Sequence, residues 1–301
     1  MKVANTLTDL IGNTPMINLK RFSNVIGKCE FMNPLSSVKD RVGMNIILKA
    51  LDRGLIDRNT VLIESTSGNT GIGLSAVAAS LGLKMIIIMP DSMSLERRAL
   101  MKAFGSELVL TPAKEGMKGA IKKAEELHSE IENSYLTKQF ENIDNPEIHT
   151  QTTADEIWSD TEGKVDIFVA GVGTGGTLSG VGRELKKRNP NIKIIAVEPM
   201  ESAVISGENP SPHKIQGIGA GFIPKNLDLT VIDEVIKVSS DEACETARQL
   251  AKKEGLLVGV SSGANVIASQ KVKNRKENID KVVVTVLNDT GERYLSTDLF
   301  N

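Results

Sequence analysis

The sequence predicts an α/β protein of two domains, each an open, mostly parallel twisted sheet with helices on both faces. Short β-branched runs alternate along the chain with longer stretches of helical periodicity, the pattern of sheets covered on both faces. Three glycine-rich turns each stand between such a run and the helix after it. The length, 301 residues with 40% hydrophobic and 25% charged content, suits one large or two medium soluble domains.

The elements follow in order. Val42, Ile46, Ile47 and Ala50 recur at helical spacing from Val38 onward; Ser36 or Ser37 is a natural N-cap, Pro34 lies just upstream, and Gly54 suits the stop. Val-Leu-Ile-Glu at 61–64, Met-Ile-Ile-Ile-Met at 85–89 and Glu-Leu-Val-Leu-Thr at 107–111 read as strands, with helices at 71–81, 95–104 and 117–131. Further strands are expected at 165–170, 192–198, 256–260 and 282–287, and further helices at 177–188, 241–253 and 262–273. A boundary falls near 141–145, where Glu-Asn-Ile-Asp-Asn precedes Pro146. Two domains with an active site between them is the economical reading, and strand ends are where such folds bind ligands.

Bulk properties narrow the function. A net charge of -2 provides no basic field for nucleic acid or an anionic membrane, and 3% aromatics provide few stacking platforms. The apolar runs 85–89 and 282–284 are strand-sized, and the N-terminus lacks the apolar stretch of a signal peptide. Cys29 and Cys244 show no CxxC spacing, which fits small core residues in a reducing cytoplasm. His128, His149 and His213 are scattered singly, so no metal site is expected.

Lys39 puts an ammonium in a first helical turn, where the macrodipole disfavours cations. A positive helix end and partial burial lower a lysine's pKa and make it a nucleophile for carbonyls. On this stretch alone, an exposed lysine at an imperfect helix start is the competing reading. The turn Thr66-Ser67-Gly68-Asn69-Thr70-Gly71 opens a helix and offers amides, hydroxyls and the Asn69 side chain; it lacks a Walker lysine, and by itself also fits a turn rich in capping residues. Gly171 to Thr177 matches GxGxxG, with Glu198 at about the distance of a ribose-binding acid. That leaves a dinucleotide-binding oxidoreductase as a rival. The threonines on each side of the glycine pair look instead like a cup around one phosphate. Ser261, at the end of the run 256–260, can hydrogen-bond a ligand nitrogen or serve as an N-cap. A cofactor with an aldehyde, one phosphate and a ring nitrogen would use all four features. Pyridoxal 5'-phosphate is that cofactor, with Lys39 as its Schiff-base partner.

The chain resembles the cysteine synthase (O-acetylserine sulfhydrylase) and cystathionine β-synthase family of fold type II, tryptophan synthase β-like, pyridoxal phosphate enzymes. Nearly the whole chain carries the likeness: residues 10–15, 33–41, 64–71, 139–140, 145–149, 171–177, 213–221 and 261–264. The resemblance implies a smaller mobile domain at 41–143 carrying the substrate-carboxylate loop, and a larger one at 1–40 plus 144–301 carrying the phosphate cup. It also implies residue roles. Lys39 would bind the cofactor and take the substrate α-proton. Asn69 would bond the ring hydroxyl oxygen, and Gly173, Thr174, Gly175, Gly176 and Thr177 would cradle the phosphate. Ser261 would face the pyridine nitrogen and leave it unprotonated. Thr66, Ser67, Thr70 and Gln139 would grip the α-carboxylate, and Gly217 would line the entrance.

The implied reaction is β-replacement through an α-aminoacrylate, forming L-cysteine from O-acetyl-L-serine and sulfide. The same resemblance implies an alternative, a cysteine-consuming β-replacement that releases hydrogen sulfide and forms lanthionine, cystathionine or serine. A homodimer and the docking of a serine acetyltransferase tail are implied in the same way. Three positions depart from the family pattern. Leu35 stands where many members carry glycine, and Ser65 and Asn288 stand where prolines are common. None of the three is expected to touch a cofactor contact, so they bear on the β-substituent accepted.

Overall fold

Alternating strands and helices run through residues 3–301, the part of the chain that this computed structural model describes. In chain order the first elements are β1 (Met16–Leu19), β2 (Val25–Cys29), α1 (Lys39–Asp52), β3 (Val61–Ser65), α2 (Asn69–Leu81) and β4 (Lys84–Pro90). Then come α3 (Leu95–Ala103), β5 (Glu107–Thr111), α4 (Gly116–Glu130), β6 (Ser134–Leu136), α5 (Asp144–Ile148) and α6 (Ala154–Asp160). The rest is β7 (Ile167–Gly171), α7 (Gly176–Arg188), β8 (Lys193–Pro199), β9 (Glu234–Val238), α8 (Ser240–Glu254), α9 (Val260–Lys273) and β10 (Val283–Leu287).

The chain divides into two units, Met1–Ile11 with Asn33–Asn145, and Gly12–Met32 with Pro146–Asn301. Residues 1 and 2, expected in the larger domain, lie outside the described residues. The units draw the division differently from the expected 41–143. Residues 3–11, 33–40 and 144–145 go with the smaller unit rather than the larger, and the start of α1 is packed on α2. A Cβ on Gly43 would lie 2.8 Å from the carbonyl carbon of Gly73, and one on Gly73 would lie 2.8 Å from Lys39 O.

The smaller unit has a fully parallel sheet ordered β5-β4-β3-β6. Successive side chains alternate faces, as strand geometry requires. Leu62, Met85, Ile87 and Met89 pack with Ile47, Ile72 and Val77 of α1 and α2, while Ile63, Ile86 and Ile88 pack with Ala120 and Ala124 of α4. The larger unit's sheet is ordered β1-β2-β10-β7-β8-β9, parallel except for the β1–β2 pair at its edge. Val169, Ile195, Val283 and Leu287 face one core with Ala243, Ala247, Ala264 and Ala268 of α8 and α9; Phe168, Ile194, Val284 and Val286 face the other with Leu178 and Val181 of α7. The predicted fold class is therefore observed, with both faces of both sheets covered.

One expected strand is absent. Within 256–260 only Val258 pairs, through an isolated bridge to Thr290, and Gly259 is already the N-cap of α9. A short apolar run has the same composition in a buried helix start as in a strand, so periodicity does not separate them. The last strand of this sheet is β9 instead, a half-buried edge whose sequence carries no continuous apolar run. Among the described residues no helix is long and apolar enough to cross a membrane. Both cysteines are free thiols, Cys29 buried and Cys244 partly buried.

Candidate active site

Lys39 is the first residue of α1. The N-cap is Val38, which makes no side-chain cap, rather than Ser36 or Ser37. Ser36 adopts a left-handed φ of 57°, so the chain enters the helix two residues later. Ser37 still contributes, because its Oγ accepts from Lys39 N at 3.2 Å and donates to Asp40 Oδ1 at 3.1 Å. Asp40 Oδ2 accepts from Leu35 N at 2.6 Å, so the approach to Lys39 is tied down by a carboxylate in the first helical turn, where the dipole favours it. Lys39 is partly buried. Lys28 is the contrasting lysine: fully buried and clamped by Glu156 at 2.9 Å and Asp160 at 3.2 Å, it is a structural ion pair.

The turn after β3 begins with Thr66 N donating to Ile88 O at 3.0 Å, and Thr66 Oγ1 accepts from Gly68 N at 3.2 Å. Gly68, the N-cap of α2, brings no side chain, so the first amides of this 13-residue helix face the turn without a capping oxygen from that residue. Thr70 Oγ1 donates to Gln139 Oε1 at 2.6 Å, which joins two of the predicted carboxylate-gripping residues. Behind them lies Glu64, to which sequence reasoning assigned no role. Its carboxylate accepts from Thr137 Oγ1 at 2.5 Å and from Gln139 N at 3.3 Å. Burial pushes its pKa up to about 7, with these hydrogen bonds pulling the other way. The visible signal was an acid closing an apolar strand, where a charge must be paired or neutralised.

The larger unit assembles the other set. Gly171 to Thr177 leaves the end of β7, and β10 lies beside it in parallel, so the loops after both strands emerge together. Asn265 of α9 fastens them: its Oδ1 accepts from Gly171 N at 2.7 Å and its Nδ2 donates to Val286 O at 2.8 Å. The glycines are required by space. A Cβ on Gly173 would lie 2.3 Å from Gly217 O, and Gly175, at φ +83°, would drive one to 2.8 Å from the Leu227 backbone. The segment 213–221 thus lies over the glycine loop, with Gly217 exposed at φ +97°. Thr177 Oγ1 meets His149 Nε2 at 3.2 Å, and His149 Nδ1 meets Thr153 Oγ1 at 2.9 Å within a π-helical turn, His149–Thr153. This buried histidine, read in the sequence as an isolated residue, stands behind the loop.

Ser261 lies in the first turn of α9, not at a strand end, and is 3% exposed. Asn288 Nδ2 donates to its Oγ at 3.0 Å. The expectation that Asn288 touches no predicted cofactor contact is therefore corrected, since it bonds Ser261: the loop after β10 doubles back onto the start of α9. A proline at 288 would have neither this donor nor the backbone N–H that Asn288 donates to Ser262 Oγ at 2.8 Å.

In the smaller unit Lys39 and Asn69 stand at helix starts, chemistry suited to an aldehyde-bearing ligand. In the larger unit a glycine cradle that admits no Cβ opens α7, with a neutral hydroxyl near Gly217, chemistry suited to a single phosphate and a ring nitrogen. They do not fit the dinucleotide reading. Glu198, the proposed ribose acid, is 1% exposed and accepts from Ile205 N at 2.8 Å and Ser206 N at 3.1 Å, so its carboxylate is spent on the turn after β8. Among the described residues no cluster could hold a metal ion.

Cysteine synthase B of Campylobacter jejuni is 54% identical over 301 residues, spanning all of both chains. The solved cysteine synthase of Entamoeba histolytica superposes with a TM-score of 0.97 at 44% identity, covering 99% of this chain and 91% of that one. A solved hydrogen sulfide-producing enzyme of Fusobacterium nucleatum superposes at 0.93 and 44% identity, covering 98% and 99%. The pyridoxal-phosphate dependent enzyme family matches residues 7–289, nearly the whole chain. With the lysine, the glycine cradle and the neutral serine in place, the chain belongs to the pyridoxal-phosphate dependent enzyme family.

Proposed function

We propose that the chain catalyses β-replacement on a small L-amino acid, forming L-cysteine from O-acetyl-L-serine and sulfide. The observation that carries the substrate assignment is full-length 54% identity to a cysteine synthase, without a gap in coverage on either side. Bound pyridoxal phosphate supplies an electron sink for the substrate's α-carbon. Lys39 Nζ would hold the cofactor through its aldehyde and, once released by the substrate's amine, would take the α-proton. Asn69 would donate to the ring hydroxyl oxygen of the bound cofactor. Gly173, Thr174, Gly175, Gly176 and Thr177 would surround the phosphate, favoured by the amides that open α7. Thr66, Ser67, Thr70 and Gln139 hold the α-carboxylate, and the Thr70–Gln139 hydrogen bond supports their acting together. Ser261 would bond the ring nitrogen without charging it, and Gly217 would line the entrance.

A second reading, cysteine consumption with sulfide release, is favoured by the likeness to the hydrogen sulfide-producing enzyme of Fusobacterium nucleatum. Initial rates with O-acetylserine plus sulfide, set against sulfide evolution from cysteine alone, separate the two. A faster rate from cysteine alone would replace the synthase assignment. The reading also includes a homodimer, checked by light scattering, and capture of a serine acetyltransferase tail, checked by titrating that peptide into the holoenzyme. Two free thiols support action in a reducing cytoplasm.

A further inference from the structure

Asn288 is held at two points in the loop that follows β10. Its backbone N–H donates to Ser262 Oγ at 2.8 Å and its Nδ2 donates to Ser261 Oγ at 3.0 Å. The first bond fixes the backbone against the opening turn of α9, so the side chain has little freedom in reaching the second. Ser261 is buried, and its Oγ lies 3.6 Å from where a Cβ on Gly217 would stand, on the side of the glycine loop. A serine hydroxyl has one proton to give and lone pairs to receive. An amide donor already occupying the oxygen from the Asn288 side turns that proton away from Asn288.

We propose that Asn288 is a positioning residue that fixes the Ser261 hydroxyl as a hydrogen-bond donor to the ring nitrogen of pyridoxal phosphate. The nitrogen then remains an uncharged acceptor. This rests on the reading in which Ser261 faces that nitrogen. The frame that carries the arrangement is hydrogen-bonded on both sides. β10 and β7 are parallel neighbours, and Asn265 ties the ends of both to α9 through Gly171 N and Val286 O. The Ser261 hydroxyl proton can turn about the Cβ–Oγ bond, and the Asn288 Nδ2 donor sets which way it faces. An aspartate at 288 would reverse the polarity. A carboxylate only accepts, so it would draw the Ser261 proton to itself and add a negative charge that raises the proton affinity of the ring nitrogen.

The test is 15N NMR of holoenzyme reconstituted with pyridoxal phosphate labelled at the ring nitrogen, for wild type, Ser261→Ala, Asn288→Ala and Asn288→Asp. Ser261→Ala supplies the resonance without the serine bond. Asn288→Ala is expected to move the wild-type resonance at least halfway to that position and to weaken cofactor affinity roughly three- to tenfold, the effect of one hydrogen bond. Asn288→Asp is expected to move it the other way, toward a protonated nitrogen. If Asn288→Ala and Asn288→Asp both stay at the wild-type position while Ser261→Ala moves, Asn288 orients nothing and the proposal is overturned, with the role of Ser261 intact. If Ser261→Ala does not move the resonance, the reading of Ser261 fails and takes the proposal with it. Should Asn288→Ala fail to fold, the sign of the Asn288→Asp shift decides alone.

Discussion

Glu64→Gln isolates the buried carboxyl beneath the predicted substrate-carboxylate grip. In the native chain burial raises Glu64 from an ordinary 4.5 to about 7. The folded state therefore keeps a proton that the unfolded state has already released. By linkage, this group's contribution is most favourable below about pH 4.5 and is lost as pH rises to about 7. The gap corresponds to about 3 kcal/mol. A glutamine does not titrate, and its side-chain oxygen can still accept from Thr137 Oγ1 and Gln139 N. Its amide group then comes near Gln139 Nε2, 3.5 Å from Glu64 Oε1, which costs about 1 kcal/mol at every pH. The variant should thus be slightly less stable than wild type in acid and more stable at about pH 8, by about 2 kcal/mol net. For a 301-residue chain unfolding as one unit, the swing between the two conditions is about 5 °C in Tm, and larger if the smaller unit melts by itself. The assay is thermal unfolding of both proteins by circular dichroism across this range, because titrations common to both cancel in the difference. A variant-minus-wild-type difference that does not change with pH, or that falls as pH rises, would refute the buried-carboxyl argument.

Other predictions follow from the same geometry. Lys39→Ala should remove the cofactor's covalently anchored absorption band and lower turnover by about a thousandfold, measured by visible spectroscopy and steady-state rates. Gly173→Ala should weaken pyridoxal phosphate affinity by roughly ten- to a hundredfold in a fluorescence titration, because a Cβ would meet Gly217 O at 2.3 Å; affinity equal to wild type would contradict the cradle. Gly43→Ala should destabilise the fold by about 1–3 kcal/mol in a denaturant titration, since its Cβ would press on Gly73 at 2.8 Å. Of the two thiols, Cys244 should be alkylated in the native protein while Cys29, whose thiol burial pushes up to about 11, should react only on unfolding; equal rates by mass spectrometry would contradict this.

Much of the sheet framework is legible locally. The runs at 61–64, 85–89 and 282–287 are apolar and β-branched enough to announce buried parallel strands, and these, like the edge strand at 107–111, lie within a residue or so of their observed places. The run 256–260 is equally apolar and is not a strand, because its neighbours in space, Asp289 and Thr290, offer only one bridge before α9 begins. The strand at 234–238 is harder to see, since an edge strand with one wet face carries a weak apolar signal.

What the sequence by itself determined is the class of chemistry. Helix-start residues such as Lys39 and Asn69, and a glycine loop such as 171–177, act through their own backbone environment, so residue type and spacing suffice to nominate them. What only the tertiary structure decided is how those residues are supported and which apparent ones are already spent. Glu198 has the spacing of a ribose acid, yet its carboxylate caps its own turn. Glu64, His149 and Asn288 stand behind Gln139, Thr177 and Ser261 through contacts separated by 27 to 75 positions in the chain. Such contacts depend on strand order and loop return, which no local pattern encodes.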